Sequence, residues 1–149
     1  MSPAVHVEES IRINRSPSEV WDAIADYSFD REWRKGLTDM TPDPPGGPEV
    51  GTKVHEAVRN SGRDYVADTV VTDLDRGVSY RFEGNGTIGG LRGGRRVEPD
   101  GDQAAVFTYT IELEPQGGMR LLRPVLGPMV RSGLKKDLQT LKALLEERS

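Results

Sequence analysis

The chain contains no cysteine, so disulfide bonds and thiolate metal sites are excluded. It has no basic excess, because 20 lysines and arginines stand against 24 aspartates and glutamates in 149 residues, and this argues against a nucleic-acid partner. No apolar run approaches the ~20 residues of a membrane span, and residues 1–15 lack the apolar stretch of a signal peptide. We therefore expect a single cytoplasmic domain over residues 1–149.

A long amphipathic helix is indicated between Met119 and Arg148. Apolar residues recur there every three or four positions and form one continuous stripe. They are Leu122, Leu126, Met129, Val130, Leu134, Leu138, Leu141 and Leu145. Such a stripe must pack on the rest of the chain, which is rich in strands. We expect the half of the helix before Gly133 to line a cavity and the half after it to be plain core.

Strands with turn signals account for most of the remaining chain. The alternation of apolar and polar residues predicts strands over residues 4–13, 52–59, 63–72, 78–82, 87–98 and 103–114. Ser16-Pro17-Ser18-Glu19 is a capping box that opens a helix ending near Asp26, and a second short helix is predicted from Ser28. Residues 42–51 hold four prolines and three glycines and are predicted to be a loop. Consecutive hairpins indicate an antiparallel sheet and an α+β fold.

In this arrangement the chain resembles the helix-grip fold of the START-like (SRPBCC) superfamily, and in particular its polyketide cyclase/dehydrase branch. Residues 16–27 look like the first helix of that branch, 50–54 its entry into the second hairpin, 73–80 its next turn and strand, and 131–147 its C-terminal helix. The resemblance implies a curved antiparallel sheet of about seven strands wrapped around the long helix, with two short helices after strand 1 and an apolar cavity between sheet and helix. Members bind lipids, hormones or polyketides; some are cyclases or aromatases, and no catalytic residue is common to all.

Aromatic residues and the first half of the long helix are candidate ligand contacts, although both are also compatible with an ordinary core. The predicted ligand-binding residues are Trp33, placed over the mouth of the cavity, together with Tyr80, Phe82, Phe107, Tyr109, Leu126, Met129 and Val130.

Glu56 and Asp68 are the candidate catalytic residues. Each lies between two valines at strand spacing, and a hairpin centred on Gly62 would place the two acids opposite each other. Two carboxylates in an apolar cavity raise the pKa of one of them, which suits general acid/base catalysis. A shift of one residue in register would instead turn them outward as solvated acids.

Other charged residues fit no recognisable site. We expect His55 on the surface, since it alternates with the neighbouring valines, and neither it nor His6 has the spacing of a metal site. Arg92, Arg95 and Arg96 are interpreted as a solvated strand edge. Residues 84–90 are rich in glycine but lack the ending of a phosphate-binding loop. We expect neither a metal nor a cofactor.

The leading hypothesis is a domain that binds a hydrophobic small molecule, polyketide-, lipid- or aromatic-like, between the sheet and the C-terminal helix. One alternative is a polyketide cyclase/dehydratase that uses Glu56 or Asp68 as its general acid/base. The other is a protein-interaction module. Ligand identity, reaction and oligomeric state stay open at the level of sequence.

Overall fold

A computed structural model describes residues 4–148 and shows one seven-stranded sheet with three α-helices in that range. The strands are β1 (Val5–Ile13), β2 (Leu37–Asp43), β3 (Lys53–Asn60), β4 (Arg63–Asp75), β5 (Ser79–Gly86), β6 (Gly89–Pro99) and β7 (Ala105–Pro115). The helices are α1 (Pro17–Ile24), α2 (Asp30–Trp33) and α3 (Arg123–Glu147), with 3-10 turns at Tyr27–Phe29 and Gly117–Leu122. None of the helices in this range is long and apolar enough to cross a bilayer.

The sheet is antiparallel throughout, with the strand order β1-β7-β6-β5-β4-β3-β2. This confirms the predicted α+β class and the helix-grip arrangement. The sequence interpretation missed β2, because Pro42 and the prolines after it indicated a loop. Among the described strands β2 lies at the edge of the sheet beside β3, and the open side of an edge strand has no ladder hydrogen bond for a proline to remove.

The predicted capping box is present at the start of α1. Ser16 Oγ accepts a hydrogen bond from the backbone N–H of Glu19 at 3.3 Å, and Glu19 Oε1 accepts one from the backbone N–H of Ser16 at 3.4 Å. Both bonds satisfy N–H groups that the first turn of a helix leaves unpaired. The apolar face of α1, which includes Trp21, is buried against the sheet.

The long helix α3 lies on the sheet, as its apolar stripe predicts. Its second half is core, with Leu134, Leu138, Leu141 and Leu145 at most 5% exposed. Polar contacts fix the helix along β1 as well. Arg131 Nη1 donates to Glu9 Oε2 at 2.6 Å, and Lys142 Nζ donates to the backbone carbonyl of Arg12 at 2.9 Å.

The β3–β4 hairpin has a register one residue away from the predicted one. Asn60 pairs with Arg63, so the turn consists of Ser61 and Gly62 alone, and both have positive φ angles, 54° and 76°. Two such residues are typical of the tight turns whose twist matches that of paired strands. The prediction centred the hairpin on Gly62, whereas the observed centre lies between Ser61 and Gly62, and this difference displaces every partner on β4 by one residue.

Candidate functional site

A cavity of about 250 Å³ lies between the concave face of the sheet and α3. Its walls are mainly apolar and come from both layers, with Phe82, Ile111 and Leu113 on the sheet and Met129, Val130 and Leu134 on the helix. Gly133 also lines it, and a Cβ atom at that position would meet no described atom within 4 Å. A concave, largely apolar chamber of this kind is the usual form of a small-molecule site.

One end of the cavity is charged. Arg34 Nη2 donates to Glu56 Oε2 at 2.7 Å, and Arg34 Nη1 donates to Asp30 Oδ2 at 3.3 Å. The side chains of Arg34 and Glu56 are only 14% and 15% exposed. Burial acts to lower the pKa of Arg34, but the negative charge of Glu56 and its neighbours outweighs burial and raises that pKa. The guanidinium therefore stays charged and presents a fixed donor at this end.

Asp137 of α3 lines the same cavity. Its Oδ1 accepts a hydrogen bond from the backbone N–H of Lys35 at 3.1 Å. Burial raises the pKa of the Asp137 carboxyl above its ordinary value of 3.8, although that hydrogen bond and the charge of Arg34 act in the opposite direction. The cavity thus holds one carboxylate paired with a guanidinium and one carboxyl with increased proton affinity.

The predicted pair of Glu56 and Asp68 is wrong. Glu56 faces Ala67 across the hairpin and lines the cavity, whereas Asp68 faces His55 on the outer surface, with its side chain 73% exposed. The register shift explains this outcome, because a displacement of one residue moves a side chain to the other face of a sheet. Asp68 Oδ1 and His55 Nδ1 are 2.7 Å apart, and this hydrogen bond raises the pKa of His55.

Behind the cavity lies a buried ion pair that the sequence interpretation missed. Arg95 donates from Nη1 to Asp30 Oδ1 at 3.0 Å and from Nη2 to Asp30 Oδ2 at 2.6 Å, and both side chains are at most 1% exposed. The guanidinium carbon lies 5.1 Å from the ring centroid of Trp33 and 4.6 Å from that of Tyr109. The interpretation as a solvated edge is wrong for Arg95, because β6 is an interior strand on which position 95 faces inward.

The predicted ligand contacts fall into three groups. Four of them line the main cavity, namely Phe82, Tyr109, Met129 and Val130. Three lie in the protein interior away from its wall, namely Trp33, Phe107 and Leu126, each at most 1% exposed. Tyr80 is 3% exposed and lines a smaller chamber behind the main one. Whether any of these residues contacts a ligand remains a prediction.

Trp33 occupies the core and not the mouth of the cavity, because α2 is held against the sheet. Asp30, one turn earlier on the same short helix, is bound to Arg95, and this contact draws the indole inward. Its ring packs edge-on to Phe107 and Tyr109, with centroids 6.3 and 6.4 Å away.

The cavity wall on α3 also lies further along the helix than predicted. Leu122 and Leu126 are absent from it, whereas Leu134 and Asp137, beyond Gly133, contribute to it. Of the residues that the sequence interpretation missed, Arg95 alone had a usable signal, since it shares strand parity with Leu91 and Val97. Arg34 and Asp137 had no signal, because each meets its partners only after distant segments pack together.

Within residues 4–148, no group of three histidine, cysteine, aspartate or glutamate side chains is arranged to hold a metal ion. The two histidines lie on the outer face of the sheet, where His6 is beside one acid and His55 is beside two, Asp68 and, at 4.0 Å, Asp39. His6 Nδ1 is 3.0 Å from Glu112 Oε1, and His55 pairs with Asp68.

Comparison with known proteins identifies relatives of this architecture. The family model described as "Polyketide cyclase / dehydrase and lipid transport" matches residues 4–146. No curated protein sequence matches the chain. The solved structures include the Zhui aromatase/cyclase from Streptomyces sp. R1128, with a TM-score of 0.81 at 16% identity over 97% of this chain and 95% of that one.

Two further structures show the same fold. A conserved protein from Geobacillus kaustophilus has a TM-score of 0.75 at 19% identity, over 94% of each chain. A START superfamily protein from Mycobacterium smegmatis has a TM-score of 0.68 at 16% identity, over 96% of this chain and 95% of that one. At such identities these likenesses establish the fold, and the family match covers nearly the whole sequence. The chain therefore belongs to the polyketide cyclase/dehydrase and lipid transport family.

Proposed function

We propose that this protein binds a compact hydrophobic small molecule in the cavity between the sheet and α3. The observation that carries the proposal is the cavity itself, about 250 Å³ with mainly apolar walls. This volume lies just below the usual range of about 300–1,000 Å³ for ligand pockets, which favours a small fused-ring or aromatic compound over a long acyl chain.

The polar end of the cavity supports a ligand that carries oxygen atoms. Arg34 offers a charged donor, while Glu56 and Asp137 offer carboxyl oxygens on opposite walls. A few polar groups in an otherwise apolar pocket orient a ligand, whereas apolar walls supply most of its affinity. The structural likeness to the Zhui aromatase/cyclase is consistent with a polyketide-like ligand, and that identity is part of the proposal.

Native mass spectrometry of protein purified from its own host tests the binding function. We expect a co-purifying small molecule in the wild type and its loss in Gly133→Leu, because a leucine at this position would project into space that is open at the cavity wall. Ser132→Leu is the matched control, since it adds the same side chain at a neighbouring exposed position of α3. Retention of the molecule by a folded Gly133→Leu would contradict binding in this cavity.

A second candidate function, a cyclase/dehydratase, is favoured by the two kinds of carboxyl group. In this scheme Glu56 removes a proton from the carbon beside a ketone. The electron pair forms the carbon–carbon double bond as the β-hydroxyl leaves, and protonated Asp137 donates a proton to that hydroxyl, which departs as water. The raised pKa of Asp137 suits the role of acid. Asp68 has no place in the scheme, since it lies on the outer face.

Dehydration of the acetone–benzaldehyde aldol tests this second function, because loss of water gives a conjugated enone with strong ultraviolet absorbance. We expect the wild type to accelerate the reaction and both Glu56→Gln and Asp137→Asn to lose most of that acceleration, on the order of 100-fold. Asp68→Asn makes the same kind of change on the outer face and serves as the control. If the protein binds a ligand but does not accelerate this dehydration, the cyclase/dehydratase function fails and the binding function stands.

A further inference from the structure

A second, much smaller chamber lies behind the main cavity. Its volume is about 20 Å³, and its walls include Tyr27, Thr69, Tyr80 and Arg95. Glu56, Phe82 and Tyr109 line both chambers, so the two spaces adjoin. A volume of this size holds one water molecule or one non-hydrogen atom of a ligand, since about 10–15 Å³ is the lower limit for a buried water.

The hydroxyl of Tyr27 is the unusual feature of this chamber. The residue is 3% exposed, and although the Tyr80 side chain is close by, the Tyr27 oxygen has no partner with hydrogen-bond geometry among the described residues. Arg95 Nε, on another residue of the same wall, is also without a partner in that part of the chain. Buried polar groups in folded proteins are almost always hydrogen-bonded, because leaving one unsatisfied is costly.

We propose that this smaller, inner chamber is a subsite for one hydroxyl oxygen, an inference that rests on the proposed binding function. In the free protein the oxygen belongs to a water molecule, and in the complex it belongs to a hydroxyl group of the ligand. The ligand class is therefore a phenol or alcohol on an apolar ring system, with its oxygen leading into the cavity.

The chemistry of the wall fits a hydroxyl group. Burial raises the pKa of Tyr27 to about 12, although the charge of Arg95 and the neighbouring hydroxyl of Tyr80 act to lower it, so the phenol stays protonated and can donate. Glu56, as a carboxylate, only accepts. A hydroxyl oxygen can accept from Tyr27 and donate to Glu56 at once, whereas a methyl group or a halogen can do neither.

A crystal structure of the unliganded protein at high resolution is the first test. We expect one ordered water in the inner chamber within hydrogen-bonding distance of Tyr27 Oη, and its loss in Tyr27→Phe or Thr69→Val. An empty or collapsed chamber in the wild type would overturn the subsite, whatever the main cavity binds.

The second test compares β-naphthol with β-methylnaphthalene, which differ by a hydroxyl in place of a methyl group. The measured quantity is the ratio of their dissociation constants in the wild type and in Tyr27→Phe, because the difference in hydration between the probes is common to both proteins and cancels. We expect the variant to lose about tenfold of the preference for β-naphthol, the effect of one hydrogen bond. Circular dichroism confirms that each variant is folded.

Tyr65→Phe separates the inner chamber from the main wall, because Tyr65 lines the main cavity alone. A loss of preference as large as that of Tyr27→Phe would assign the hydrogen bond to the main cavity and overturn the subsite. If both probes bind and their ratio is the same in the wild type and Tyr27→Phe, the subsite fails while the proposed binding function stands. If neither probe binds and no molecule co-purifies, the binding function fails as well, and the water in the crystal decides the subsite.

Discussion

Arg95 on β6 holds Asp30 on α2 through two parallel hydrogen bonds of 2.6 and 3.0 Å, with both side chains shielded from solvent. This contact joins the short helix to the middle of the sheet. A third group, Arg34, shares the same carboxylate and continues the network into the cavity through Glu56. The deep end of the candidate site is therefore built on the ion pair that positions α2.

Asp30→Ala should lower the free energy of unfolding by about 3–5 kcal/mol, because it leaves the buried guanidinium of Arg95 without its counter-charge. Urea unfolding of the purified variant measures the loss. The control is Arg59→Met, which removes an ion pair with Asp64 whose side chains are 58% and 65% exposed, and it should cost less than about 1 kcal/mol. Equal losses in the two variants would show that the buried pair has no special role in stability.

Asp137→Asn should stabilise the protein at neutral pH. The folded protein raises the pKa of this carboxyl, so its contribution to stability is complete below the ordinary value of 3.8 and is lost as pH rises through the raised value. Asparagine keeps the acceptor for Lys35 and carries no charge. Unfolding free energies measured from neutral pH downward should show an advantage that shrinks toward pH 3.8. Asp102→Asn, in an exposed turn, should show no such trend.

The pH dependence of His55 has a defined direction. Its hydrogen bond with Asp68 raises its pKa above the ordinary value of 6.5, so the associated stability is complete below pH 6.5 and is lost as pH rises through the raised value. Titration by nuclear magnetic resonance should give a pKa above 6.5 in the wild type and a lower one in Asp68→Asn. An unchanged pKa in that variant would contradict the contact.

Two glycine substitutions, one in the β3–β4 turn and one in the 3-10 turn before α3, should affect stability differently. Gly62→Ala should cost about 1 kcal/mol, because the φ angle of 76° strains any residue with a Cβ atom even where space is open. Gly118→Ala should be neutral or slightly stabilising, since its backbone has no positive φ and its Cβ would also meet open space. Thermal unfolding compares the two, and a neutral Gly62→Ala would contradict the two-residue turn.

The fold was predictable because its signals are local. The apolar spacing of α3 and the capping box of Ser16 and Glu19 depend on residues within a few positions of one another. Strand register was less accessible, since one residue in the turn before Arg63 decides which face Asp68 occupies. The carboxyl group of Asp137 reaches the cavity only because α3 crosses the sheet beside Lys35, and no short-range pattern encodes that approach.

The two ends of the cavity differ in how well they should tolerate amino-acid substitution. At the charged end, Arg34 is bonded to Asp30 of α2 and Tyr109 packs against the buried Arg95, whereas Met129 and Gly133 lie at an exposed edge. Selection for a new ligand would therefore proceed most readily through the outer turns of α3, where substitutions leave folding intact. Relatives that differ in ligand preference should differ first at Met129 and Gly133 and retain the charged end of the cavity. A directed-evolution library is therefore best concentrated on these two positions and their neighbours on α3.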